Sequence, residues 1–122
     1  MKISDLQSQI DALQQTVHTF LQSATGNGYI YADDLSQLNQ SIHKQINKLY
    51  PLRGKTVEQE AALCLAILMG YSVSIYANPD DEFKKQEILN RSRSLFDSLT
   101  SSPIKEQLFT IYNEIKESNK IN

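Results

Sequence analysis

The chain has one cysteine, Cys64, among 122 residues. No internal disulfide can form, so its cysteine usage gives no sign of an oxidising compartment. Tryptophan is absent, and there are only four glycines and three prolines. So few breakers leave room for long helices, and those present cluster between stretches of helical periodicity, Gly70 excepted. The longest fully apolar run, Ala61 to Met69, is nine residues, less than half of the roughly 20 needed to span a membrane. Neither charge sign dominates: 12 basic against 14 acidic residues give a net charge of −2. No global field therefore favours nucleic acid or an anionic membrane. The N-terminus, Met1-Lys2-Ile3-Ser4-Asp5, turns polar at once and lacks the apolar core of a signal peptide. Together these absences predict a cytoplasmic, soluble, single domain over 1–122 with no membrane association.

What is present has helical grammar. Ile3, Leu6, Ile10, Leu13, Val17 and Phe20 are spaced 3, 4, 3, 4, 3, one narrow apolar stripe on a helix over about 3–24. Such a stripe suits either a peripheral helix of an intramolecular bundle, the favoured reading, or the seam of a coiled-coil homodimer. Thr25-Gly26-Asn27-Gly28 ends it, and Tyr29-Ile30-Tyr31 reads as an extended connection. A second helix opens at Asp33 or Asp34 with Leu35, Leu38, Ile42, Ile46 and Leu49 on one face, and Tyr50-Pro51 stops it. Thr56-Val57-Glu58-Gln59 matches a capping box, with Glu58 and Glu60 at the favourable end of the helix dipole. The apolar run that follows has no polar face for two turns, so this helix, over about 57–77, is predicted to be central. Gly70 within it is expected to permit close packing.

Asn78-Pro79-Asp80-Asp81 predicts a fourth helix capped by Asn78, with Pro79 at its first position. Its inward face is expected to hold Leu89, Ser92, Leu95, Phe96 and Leu99, with Phe83 and Ile88 at the near end. After Ser102-Pro103, Ile104, Leu108, Ile111 and Ile115 form the stripe of a fifth helix, and Ser118 to Asn122 read as frayed. The predicted fold is all-α: five helices in an antiparallel bundle or stacked hairpins around the third.

Chemistry is scarce. His18 and His43 lack metal-pair spacing and read as polar surface. Cys64 lies among apolar neighbours and reads as a small buried hydrophobe. The pairs Asp33/Asp34 and Asp80/Asp81 are accounted for as helix starts. The sequence therefore predicts no enzyme, no catalytic residue, no cofactor and no metal. One asymmetry remains: Leu35 to Val57 contains no acid but holds Lys44, Lys48, Arg53 and Lys55. Arg91 and Arg93, with Lys84 and Lys85, form a weaker basic cluster. A basic stretch is most often a solvated helix face; its functional reading is an acidic partner or RNA.

The run Leu49-Tyr50-Pro51, Gly54, Thr56, Glu58, Glu60-Ala61, Leu63-Cys64-Leu65-Ala66, Leu68-Met69-Gly70-Tyr71 and Tyr76 resembles the UpxZ family. The similarity extends upstream through Tyr31 and Leu38-Asn39, and downstream through Ile88-Leu89-Asn90-Arg91-Ser92 and Leu95. It spans roughly 29–112. Two features depart from the pattern. Arg93 stands where a bulky aromatic is expected, and the chain ends soon after the fifth helix, where family members continue. These are Bacteroides regulators encoded at capsular polysaccharide loci. The resemblance implies a non-catalytic antagonist of NusG-like (UpxY-type) antitermination factors, favouring expression of one capsule locus over others. It implies no catalytic residues.

The expected contact surface is the turn Tyr50-Pro51-Leu52-Arg53-Gly54 with Lys55, Lys44 and Lys48, together with Tyr29 and Tyr31. There, exposed aromatic, apolar and basic residues converge. Two alternatives are a helical adaptor dimerising through the Ile3–Phe20 stripe and a direct RNA-binding regulator. The low basic content argues against the second.

Overall fold

Eight consecutive residues, Ala61 to Leu68, are buried, which requires other elements on every side of their helix. The computed structural model supplies them. It describes residues 5–25, 32–73, 80–99 and 103–121. These form α1 (Asp5–Thr25), α2 (Ala32–Leu49), α3 (Val57–Val73), α4 (Asp81–Leu95) and α5 (Pro103–Ile121). No strand occurs among the described residues. Helix α3 packs against all four others; α1 also packs on α2, and α5 touches α4 more lightly. The all-α architecture around a central third helix is the one expected.

The α1 stripe belongs to that core. Ile10, Leu13 and Val17 are fully buried, with Leu6 and Phe20 packed beside them. Ile10, Leu13 and Val17 are thus occupied within the chain by α2 and α3, as the intramolecular bundle expects; Ile3 lies outside the described residues. Where α2 crosses α3, a Cβ on Gly70 would come within 2.8 Å of Ile46 Cδ1 and 3.1 Å of Ile42 Cγ2. The glycine therefore sits where two helices approach closely, and its propensity cost is offset by packing.

Several boundaries and faces differ from expectation. Within the described residues α3 stops at Val73, and residues 74–79, which include Tyr76 and the expected Asn78 cap, lie outside them. Helix α4 begins at Asp81 with Asp80 as its capping residue, and the Asp80 side chain makes no cap hydrogen bond. Pro79, expected at its first position, also lies outside the described residues. Asp81 is 0% exposed, and its carboxylate lies 3.8 Å from His43 Nδ1 on α2.

The inward face of α4 runs through Asp81, Lys85, Ile88, Leu89 and Ser92. Phe83 falls on the opposite face and is 63% exposed, which corrects its assignment to the core. In α5, Leu108, Ile111 and Ile115 are buried as expected, and the helix extends to Ile121. Phe96 stacks edge-to-face on Phe109 at 5.2 Å and on Tyr112 at 5.3 Å, closing the α4–α5 end.

Candidate interaction site

The chain leaves α2 through two backbone bonds. Tyr50 N–H donates to Ile46 O at 2.7 Å and Leu52 N–H to Leu49 O at 2.9 Å. The α3 capping residues then reach back to catch the connection. Gln59 N–H donates to Thr56 Oγ1 at 3.0 Å, as the capping box requires. The return bond is shifted by one residue: Lys55 N–H, not Thr56 N–H, donates to Gln59 Oε1 at 2.9 Å. Gly54 N–H donates to Glu60 Oε1 at 2.6 Å. That approach needs a glycine, since a Cβ there would sit 2.6 Å from Glu60 Cα.

A single arginine fixes the other side. Arg91 on α4 donates to Glu60 Oε2 from Nε at 3.0 Å and from Nη2 at 2.7 Å. The same guanidinium donates to Tyr50 O at 3.2 Å through Nη1 and to Leu52 O at 3.1 Å through Nη2. Glu60 and Arg91 thus tie α3, α4 and both carbonyls of the turn into one network. The planar fork of arginine suits this; a lysine could not satisfy the set. Both side chains are about six-sevenths shielded from solvent, at 14% and 15% exposure, so leaving either unpaired is costly.

Behind the pair lies Cys64, whose sulfur is 4.0 Å from Glu60 Oε2. Burial pushes its thiol up to about 11, and the charge of nearby Glu60 adds to this while Arg91 opposes it. The thiol is protonated at neutral pH and no activated nucleophile results. Among the described residues, no group of three or more His, Cys, Asp and Glu could hold a metal ion.

Most residues of the expected surface are exposed. Lys44 and Lys48 are exposed on α2, and Arg53, Lys55 and Leu52 are exposed on the turn, Leu52 at 37%. Tyr50 is half-buried, with Lys84 Nζ 5.4 Å from its ring centroid. Tyr29 and Tyr31 lie outside the described residues. Tyr50, Pro51 and Arg53 line a hollow of about 320 Å³ with Glu87, Asn90 and Arg91 from α4.

The α4 contribution has no local signature in the sequence. A conspicuous carboxylate, Glu60, just before an apolar run is the available signal, but nothing local in the sequence names Arg91 as its partner. His43 is also corrected: it is 6% exposed, not surface, and sits between Asp81 and the Tyr71 ring at 6.5 Å. Lys84 Nζ donates to Asn47 Oδ1 at 3.3 Å, a further α2–α4 tie beside the turn.

Against known proteins, residues 10–114 match the model of the UpxZ family of transcription anti-terminator antagonists. The match reaches further upstream than the motif-bearing segment and includes the buried α1 stripe. A solved structure of a transcription anti-terminator antagonist UpxZ from Bacteroides uniformis superposes with a TM-score of 0.76 at 34% identity. The alignment covers 88% of this chain and 66% of that one, so the chain spans just under two thirds of its length. No curated protein sequence gives a significant match.

Proposed function

Since this chain belongs to the UpxZ family of transcription anti-terminator antagonists, we propose that it binds a NusG-like antitermination factor and inhibits it by occupying a surface. The factor is then kept from docking on RNA polymerase or the nascent transcript, and one capsular polysaccharide locus is expressed at the expense of others. Cys64 is a buried, protonated thiol and His43 a buried imidazole, which supports occupancy rather than catalysis as the mode of action.

The observation that carries this reading is the turn Tyr50–Lys55. It presents exposed Leu52, Arg53 and Lys55 beside Lys44 and Lys48, on a backbone fixed by Arg91 and Glu60. A loop ordered before contact loses less entropy on binding than a loose one. The test is co-purification of the chain with each NusG-like factor of the same genome. Retention of at least one, lost with Arg53→Glu, is the expected outcome. Failure to retain any of them rejects the proposed partner class.

A further inference from the structure

We propose that the element docking on this surface is an acidic segment with a single uncharged apolar anchor, whose side chain enters the hollow between the turn and α4. This rests on the turn being the docking face, and it specifies the partner's chemistry. Three observations carry it.

The first is the charge pattern. From Leu35 to Val57 the chain has no acid, and the outward side of α2 carries amides, Ser41 and the two lysines one turn apart. Among the described residues, none of the ion pairs engages Lys44, Lys48, Arg53 or Lys55. Among the described residues these four cations are therefore exposed and outside any ion pair, in a chain whose net charge is negative. Such cations steer carboxylates toward them and set register more than they set affinity.

The second is the hollow. It is lined by Tyr50, Pro51 and Arg53 from the turn and by Glu87, Asn90 and Arg91 from α4. About 320 Å³ accommodates one large side chain. Arg91 is already paired with Glu60, and the other charges of the wall, Arg53 and Glu87, are opposite in sign, so the interior offers no net charge for an ionised side chain. The anchor is therefore uncharged, while the acids of the segment lie outside on Lys44, Lys48 and Lys55.

The third observation separates a protein partner from RNA. Single-stranded RNA needs open aromatic faces for base stacking. The Tyr50 ring is half-buried and has the Lys84 ammonium 5.4 Å from its centroid, so that face is taken. With Glu87 in the hollow, the site suits a peptide better than a phosphodiester chain.

Nuclear magnetic resonance titration of the whole chain tests this with defined probes. One is an acetylated peptide of alternating Asp and Glu with one central Phe. The others are the same peptide with Ser for Phe, its Lys-containing counterpart, and oligouridine. The expected result is amide shifts at Lys44, Lys48, Tyr50 and Arg53 with the Phe-containing acidic peptide. Affinity should fall about tenfold with Ser in place of Phe, and by a similar factor in the Lys44→Glu/Lys48→Glu chain. Equal or stronger binding of the basic peptide or of oligouridine overturns the proposal, as does the absence of those shifts.

The same charge reversal is then measured against a NusG-like factor. If the factor binds and ignores the reversal, this inference fails while the proposed function stands. If the acidic peptide binds at the turn and no factor does, the inference stands and the partner class is wrong.

Discussion

The run Ala61–Leu68 and the turn Tyr50–Lys55 adjoin in sequence and carry the family resemblance together, yet they are held in opposite ways. The run is fixed by apolar burial on every side of α3. The turn buries little and is fixed by hydrogen bonds from one arginine and to one glutamate, both offered by other helices. Burial makes the run unavailable to a partner. Polar fixation leaves the turn's side chains free to face solvent while its backbone stays in place. Core substitutions should therefore act on folding, network substitutions on the shape of the turn, and surface substitutions on binding alone.

Leu63→Ala should have the largest effect. Its side chain is fully buried, and truncation should cost about 4 kcal/mol of stability by urea unfolding, from lost transfer energy plus a cavity. Arg91→Ala comes next, at about 3 kcal/mol, because Glu60 is left shielded and unpaired. Arg91→Lys should recover only part of this, and the Glu60→Gln/Arg91→Met pair should recover more than the sum of the single changes allows. Strict additivity in that double-mutant cycle would break the view of the turn as one network.

Cys64 gives a pH-dependent comparison. Its thiol is raised from 9.0 to about 11 by burial, so the unfolded chain releases the proton first. Stability should fall as pH rises through that window, by up to about 1.4 kcal/mol per pH unit, and Cys64→Ala should remove this component. Identical alkaline profiles for the two proteins would mean that the thiol is not shielded as described. The smallest effect is expected from Lys44→Glu with Lys48→Glu: within about 0.5 kcal/mol in stability, since both side chains are exposed. A large loss there would blur the line between fold and surface.

Periodicity made the apolar half of the molecule legible. The Ile10–Val17 stripe, the central α3 and the α5 stripe were readable because like residues repeat at helical spacing. The Thr56 cap was readable because its partners are three residues away. Helix α4 is harder, because the near end of its inward face is Asp81 and Lys85, although Ser92 further along is legible. A charged residue at a core position looks like a break in the stripe, and apolar Phe83 looks like the better candidate. The pairs His43–Asp81 and Glu60–Arg91 join distant segments, and no local spacing encodes them. At the site, the exposed cations of α2 and the turn were visible in sequence. The α4 wall of the hollow was not, because it is created by the packing that Arg91 completes.

The central claim is that the turn, not the recognisable apolar helix, meets the partner. The most direct measurement is calorimetric binding of one retained NusG-like factor to the wild-type chain and to Arg53→Glu, with thermal unfolding of both recorded in parallel. The expected result is an unchanged midpoint and affinity at least about tenfold weaker. Undiminished affinity in the folded variant would contradict the claim.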